Sequence, residues 1–197
     1  MEFIMKKLLS LGLLFGSLVL NAEVFDYNLW AKDLQTLIEL NKTSSTLQGD
    51  DTNHNQVRDD VENYIKKKFS GDEFQKIMFL EAARKIQQII TLPKEATVQT
   101  HKKLDDELLQ IYTCRDFIIF KHSDANVQKS ISEKSEFKEQ VLNTTKRLQA
   151  YISHKQKIPF KLSIPSDGEL KKQKDSCEKL YSKIKSESKK TTTLTAK

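Results

Sequence analysis

Glycine and proline are scarce in this chain, with five glycines and three prolines among 197 residues. Both residues mark turns, and a β-rich protein needs many of them between its short strands. No long stretch alternates apolar and polar side chains as a half-buried strand does. The sequence therefore argues against a β-rich fold and predicts an all-α chain, an antiparallel helical bundle of about six to seven helices.

Catalytic motifs are absent as well. The sequence has no glycine-rich phosphate loop, no G-x-S-x-G elbow and no H-E-x-x-H pair. The four histidines, His54, His101, His122 and His154, do not stand at metal-ligand spacing from one another. We expect His54 to be exposed and His101 to make a surface contact with Asp105, one helical turn later. No residue is singled out as catalytic, and we expect a protein that is not an enzyme.

Long apolar runs are limited to the first 22 residues. Lys6 and Lys7 supply a positive start, residues 8–20 are apolar or small, and Ala22 ends the segment with a small side chain. This run is too short to span a bilayer and has the order of a signal peptide, so we predict 1–22 as a cleaved signal, with an uncleaved membrane anchor as the alternative. Cleavage would lower the net charge from +6 to +5. We expect a periplasmic or secreted protein with no transmembrane span in the mature chain.

Cysteine is limited to Cys114 and Cys177, both in the mature part of the chain. In an oxidising compartment such a pair usually forms a disulfide bond, and we predict one here. The bond would close a long loop and contribute about 4 kcal/mol in the chain-entropy model. The alternative is two unpaired buried thiols.

Apolar residues at helical spacing extend over most of the mature chain. They predict a single helical domain over 23–187, followed by a Lys- and Thr-rich tail, 188–197, that we expect to be disordered. A first helix is predicted from Asp26 to about Asn41. Residues 42–49 are rich in Thr, Ser and Gly and are predicted to be a linker.

Capping signals divide the rest of the domain into further helices. Ser70 and Glu73 have the spacing of a capping box, which predicts the start of a helix that runs to Leu92. Pro93 suits the first turn of a new helix, and the apolar spacing continues from there to about Phe120. The tight join predicts an antiparallel hairpin of these two helices.

The last third of the chain carries three more helix signals. Phe137 marks one helix, and Thr144 is placed to cap a second. Ser166 and Glu169 repeat the capping-box spacing and predict the start of the last helix.

The stretch between the linker and the second helix carries oxygen-bearing side chains at alternate positions. A calcium loop of the EF-hand type has twelve residues and takes its ligands from positions 1, 3, 5, 7, 9 and 12. Counted from Asp51, all six positions hold an acceptable donor, so the sequence predicts one Ca²⁺ site. The predicted metal ligands are Asp51, Asn53, Asn55, Val57 through its backbone carbonyl, Asp59 and Glu62.

Position 6 of the loop departs from the pattern because it is Gln56, where the sharp turn normally has glycine. A non-glycine residue takes the left-handed conformation at a cost of roughly 1 kcal/mol or more. We therefore expect modest affinity, about 10⁻⁴ to 10⁻³ M as in extracellular modules, and tighter binding in Gln56→Gly. The alternative is that Asp59 and Glu62 form a capping box that only starts the helix, with residues 50–55 as a polar turn.

The loop resembles the single-loop members of the EF-hand group, such as dockerin loops and thrombospondin type 3-like repeats. The run Val57-Arg58-Asp59-Asp60-Val61 is similar to a D-x-D-x-D-G-V-R-D-D-V signature of small secreted bacterial proteins of unknown function. The stretch from Asn143 to Tyr151 also resembles one of their sequence blocks. The resemblance implies calcium and a helical body, and it implies no reaction. Because no second loop is present to pair with this one, we expect a structural metal rather than a switch.

Three functions are open on the sequence alone. The first is an exported, non-catalytic, calcium-binding helical protein that binds a protein or an envelope component. The second is a periplasmic inhibitor or immunity factor of a secreted enzyme. The third is an enzyme with a site near Asp59 and Asp60, which would need a pocket beside those residues.

Basic side chains are concentrated towards the end of the chain. They could contact an anionic surface weakly, and the alternative is a solvated helix face. No aromatic residues are interleaved as a stacking platform needs, so we expect no nucleic-acid binding. The lysines concerned are Lys171, Lys172, Lys174, Lys179, Lys183, Lys185, Lys189 and Lys190.

Overall fold

The structure is a computed structural model and describes residues 46–159 and 165–195. All regular structure in these ranges is helical, which confirms the predicted all-α fold. The segment 1–22 and the helix predicted from Asp26 lie outside the described residues, as does the first half of the predicted linker, 42–45. The six helices are α1 (Asp59–Lys68), α2 (Glu73–Ile90), α3 (Val98–His122), α4 (Val127–Val141), α5 (Thr145–Gln156) and α6 (Asp167–Thr195).

Helix α2 lies at the centre of the bundle and contacts each of the other five helices. It forms the predicted hairpin with α3, but the second helix begins five residues after Pro93. Pro93 instead lies in the turn, where its carbonyl accepts a hydrogen bond from the Ala96 amide at 3.0 Å. Thr97 caps α3 by accepting a hydrogen bond from the Thr100 amide at 3.2 Å.

Helix starts follow the capping signals at two of the predicted positions. Thr144 caps α5, and Ser166 and Glu169 form the predicted box, with the Ser166 amide donating to the Glu169 carboxylate at 2.8 Å. The box predicted at Ser70 is wrong. Asp72 caps α2 instead, and its carboxylate accepts a hydrogen bond from the Gln75 amide at 3.0 Å.

The predicted disulfide between Cys114 on α3 and Cys177 on α6 is present, with 5.4 Å between the Cα atoms. Both cysteines are buried in an apolar cluster that joins the last helix to the α2–α3 hairpin. Helix α6 continues to Thr195, so the backbone is helical through most of the stretch 188–197 that the composition predicts to be disordered. The cluster also contains Phe74, Met78, Ile118 and Ile184.

A buried polar network lies beside this apolar core. Arg115 is fully buried and stacks on the Phe79 ring at 4.7 Å. Its guanidinium pairs with the Glu133 carboxylate and donates to the Gln75 side-chain oxygen at 2.6 Å. Because a buried charge is tolerated only when paired and hydrogen-bonded, this network ties α3 to α2 and α4 in one arrangement.

The hydropathy of the helices bears on whether one of them could cross a membrane. Of the helices that the structure describes, none has an apolar stretch long enough to cross a membrane.

Candidate metal centre

The loop before α1 is folded around the Asp51 carboxylate. This group accepts hydrogen bonds from the Asn55 amide at 3.1 Å and from the Gln56 amide at 2.8 Å. The tight turn requires positive backbone angles, and φ is 56° at His54 and 67° at Gln56. Gln56 therefore takes the left-handed conformation that the sixth position of a calcium loop requires, although it is not glycine.

Four of the six predicted ligands lie side by side. The side-chain amides of Asn53 and Asn55 contact the Glu62 carboxylate at 3.2 and 3.0 Å. Asn53 also accepts from the Asn55 backbone amide at 3.1 Å, the same amide that contacts Asp51. The loop and the first turn of α1 thus bring two carboxylates and two amides to one place.

Asp59 and Val57 are placed differently. The Asp59 carboxylate is turned towards Thr52 and accepts from its backbone amide at 3.1 Å and from its hydroxyl. Val57 is buried, and its amide donates to the Asn55 side-chain oxygen at 2.8 Å. In calcium loops position 9 often acts through a water molecule, so a direct metal contact from Asp59 is not required.

The alternative capping box of Asp59 and Glu62 does not form. Asp59 is the first residue of α1, and the preceding residue, Arg58, makes no side-chain cap. The Glu62 amide bonds to the Arg58 carbonyl at 2.9 Å, while its carboxylate is directed to the two asparagines. Glu62 also pairs with Lys66 one turn later at 3.2 Å, so its carboxylate is shared between the loop and α1.

The donor set decides which metal fits. Within residues 46–159 and 165–195, no three His, Cys, Asp or Glu side chains form a group that could hold a metal ion. A site here would depend on amide and backbone oxygens as well as on Asp51 and Glu62. Such an all-oxygen set suits a hard cation such as Ca²⁺ and excludes the nitrogen and sulfur coordination of zinc sites.

Helix α2 holds the loop from one side. Arg84 donates from Nε to the Asn55 carbonyl at 3.0 Å, and the side-chain amide of Gln88 donates to the side-chain oxygen of Gln56 at 3.1 Å. Gln87 donates to the Leu47 carbonyl at 3.1 Å. These contacts give the backbone carbonyls of Asn55 and Leu47 hydrogen-bond donors, so helix α2 supports the loop conformation.

Two buried arginines hold the loop from the other side. Arg58 donates to the carbonyl of Val141 at 2.8 Å and to the side-chain oxygen of Asn143 at 3.2 Å. Arg147 donates to the same Asn143 oxygen at 2.7 Å and to the Thr46 carbonyl at 2.8 Å. The stretches around Arg58 and from Asn143 onwards, which are far apart in the sequence, therefore meet in space at the base of the loop.

Gly49 and Asp60 complete this junction. Gly49 has a φ of 66°, and a side chain there would lie 2.9 Å from Nη2 of Arg147 and would also collide with Arg58. Asp60 pairs with Arg58 at 2.9 Å and accepts a hydrogen bond from the side-chain amide of Asn143 at 3.2 Å. Burial alone would raise the pKa of Asp60, but the hydrogen bonds and charge of Arg58 outweigh it and lower that pKa.

A groove of about 390 Å³ lies between α3 and α6, and it involves neither Asp59 nor Asp60. Basic and acidic side chains line it in nearly equal numbers around two apolar ones. It therefore does not provide the pocket that an enzyme site beside Asp59 and Asp60 would need. The lining residues are Phe117, Lys121, Asp167, Leu170, Lys171, Lys174, Asp175 and Glu178.

The histidines divide into exposed and buried ones. His54 is exposed as expected. The surface contact expected for His101 is wrong, because His101 is buried and its Nδ1 lies 2.7 Å from Nδ1 of His154. The helical spacing could have indicated this, since His101 stands seven residues before the buried Leu108, on the same face of α3.

Neither family models, nor curated proteins, nor solved structures match this chain. The function must therefore be argued from the residues described above.

Proposed function

We propose that this chain is an exported, non-catalytic helical protein that holds one Ca²⁺ ion in the loop from Asp51 to Glu62 and binds a protein or an envelope component. The observation that carries the calcium proposal is the left-handed conformation of Gln56 at the sixth loop position. The seating of Glu62 against Asn53 and Asn55 supports it.

The metal would have a structural role. Asp51 belongs to the loop and Glu62 to α1, so one ion bound by both would fix the start of that helix. The asparagine oxygens already accept backbone amides, and a carbonyl oxygen has a second lone pair with which it can bind a cation. With three carboxylates in the predicted set and two neutral amides, we expect a dissociation constant of about 10⁻⁴ to 10⁻³ M.

Export is supported by the disulfide between Cys114 and Cys177. Such bonds persist in oxidising compartments and are rare in the cytosol. Amino-terminal sequencing of the protein from the producing cell tests this part, and we expect a start at residue 23. A full-length chain recovered from the cytoplasmic fraction would contradict it.

The partner would cover apolar side chains that are exposed in this chain. Phe120 is 42% exposed and Val127 is 53% exposed, and the two flank the turn between α3 and α4. A photoreactive residue at position 120 in producing cells should form an adduct, while one at the exposed Lys103, seventeen residues earlier on α3, serves as the control. Equal labelling at both positions, or none, would contradict a partner at this turn.

Thermal unfolding of the full chain tests the metal. At tenfold excess of calcium over its dissociation constant, the free energy of unfolding should rise by about 1.4 kcal/mol, or roughly 3–6 °C in the melting temperature. Glu62→Gln should abolish this rise, and Glu139→Gln, on an exposed position of α4, should keep it. An equal rise in Glu62→Gln and in the wild type would contradict the site.

A further inference from the structure

His101 and His154 form a buried pair that no part of the proposed function uses. The two side chains are 3% and 1% exposed, and they join α3 to α5 through the 2.7 Å contact between their Nδ1 atoms. The rings are tilted by 51° with centroids 4.9 Å apart. At this distance and burial, one Nδ1 must donate a hydrogen and the other must accept it.

The surroundings decide which ring donates. Nε2 of His154 lies 3.6 Å from the Asp105 carboxylate, too far for a hydrogen bond, but the nearby negative charge favours the hydrogen of that ring on Nε2. His154 then accepts at Nδ1, and His101 donates from Nδ1. Both Nε2 atoms are buried without a hydrogen-bond partner, and that of His101 carries no hydrogen in this arrangement. The hydrogen bond between the two rings therefore requires opposite tautomers.

The charged groups near the pair are unevenly distributed. Lys155 on α5 binds Asp105 at 2.6 Å, and Lys157, just after α5, adds a second positive charge. From α4, Lys138 interacts with both Lys155 and Asp105. One carboxylate therefore faces two rings and several ammonium groups.

A second added proton, which would leave both rings doubly protonated, cannot be accommodated. Both Nδ1 atoms would then carry a hydrogen, so their hydrogen bond would be lost and two positive rings would face each other in a buried site. Burial and the neighbouring charges of His154 and Lys157 lower the pKa of His101 accordingly.

We propose that the His101–His154 pair is an acid-sensitive latch between α3 and α5, closed while the rings hold opposite tautomers and opened when both become protonated. This device is independent of calcium and goes beyond the proposed function. It would let the bundle loosen when the protein meets a mildly acidic medium.

The sign of the effect follows from the lowered pKa of His101. The unfolded chain binds a proton at this residue below about pH 6.5, whereas the folded chain does not until a lower pH. Stability from this group is therefore complete above about pH 6.5 and is lost as the pH falls below it. For one proton, the unfolding equilibrium constant rises by up to about tenfold for each pH unit.

Urea unfolding of the full chain between about pH 7.5 and 5.5, in the presence of EDTA, tests the latch. His101→Gln keeps a donor towards His154 but cannot titrate, so the proton uptake on unfolding should fall by about one relative to the wild type. His54→Asn is the matched control, since it removes an exposed histidine and asparagine tolerates the positive φ there. An unchanged proton uptake in His101→Gln would overturn the proposal.

The tautomers provide a second test that needs no variant. In ¹⁵N NMR spectra of the wild type at neutral pH, His101 should carry its hydrogen on Nδ1 and His154 on Nε2. On acidification, the change to doubly protonated rings should coincide with loss of the folded signals. Hydrogen on Nε2 in both rings, or two protonated rings in the folded state, would overturn the latch even if His101→Gln failed to fold.

Discussion

Arg58 and Asn143 stand 85 positions apart in the chain and meet at 3.2 Å between the guanidinium Nη2 and the amide oxygen. The same oxygen accepts Nη1 of Arg147 at 2.7 Å. One amide thus connects the base of the loop to the corner between α4 and α5. Because both arginines are buried, this one side chain supports the loop together with the carbonyls of Val141 and Thr46, which accept from the same two arginines.

Removal of this amide should therefore destabilise the protein. We expect Asn143→Ala to lower the free energy of unfolding by about 1–3 kcal/mol, because two buried guanidinium groups lose an acceptor and Asp60 loses a donor. Urea unfolding measures the difference. Asn63→Ala, on the exposed face of α1, should change stability by less than about 0.5 kcal/mol. Similar losses in the two variants would contradict the role of Asn143.

Much of the fold was predictable because its signals are local. Helical spacing located the bundle, and the capping residues Thr144 and Ser166 marked two helix starts to within a residue. The disulfide followed from the count of two cysteines and the expected compartment. At Ser70 the same local rule failed, because Asp72 offered a competing cap two residues later.

The long-range polar contacts were not predictable from spacing. Periodicity identifies which face of a helix is buried but not which polar groups meet across the fold. Arg58 and Arg147 occupy buried positions that their residue type disfavours, so their contacts could be found only from the structure.

The cap on α2 gives a direct comparison of the two candidate residues. Asp72→Ala should lower the free energy of unfolding by about 1 kcal/mol, since the Gln75 amide loses its acceptor. Ser70→Ala should leave stability within about 0.5 kcal/mol of the wild type. Thermal or urea unfolding distinguishes them, and the reverse order of the two losses would contradict the observed cap.

Gly49 and Gly71 share positive φ angles of 66° and 89° but differ in their surroundings. Gly71→Ala would meet nothing within 4 Å, so its cost should be the strain of the left-handed region, about 1–2 kcal/mol. Gly49→Ala adds a collision with Arg58 and Arg147 and should cost at least about 1 kcal/mol more. Equal losses in urea unfolding would show that the arginines are not packed against Gly49.

Gln56 has the left-handed conformation, with a φ of 67°. Gln56→Gly should remove this strain and raise the free energy of unfolding by about 0.5–1 kcal/mol. Calcium binding should also become tighter, in proportion to how often the metal-free loop leaves this conformation. Gln88→Ala is the control, since it removes the side-chain contacts to Gln56 and Lys85 without changing the residue at position 56. A loss of stability in Gln56→Gly would contradict a strained turn at this position.

A calcium titration followed by ¹H–¹⁵N NMR on the full chain tests the central claim most directly. The amides of Asn55 and Gln56 donate to the Asp51 carboxylate and should report an ion bound there. We predict saturable shifts confined to residues 51–62, with a dissociation constant of about 10⁻⁴ to 10⁻³ M, which Glu62→Gln abolishes. The absence of any shift in these amides at about 10 mM calcium would contradict the metal site, because this concentration is well above the dissociation constants of the weakest extracellular calcium modules.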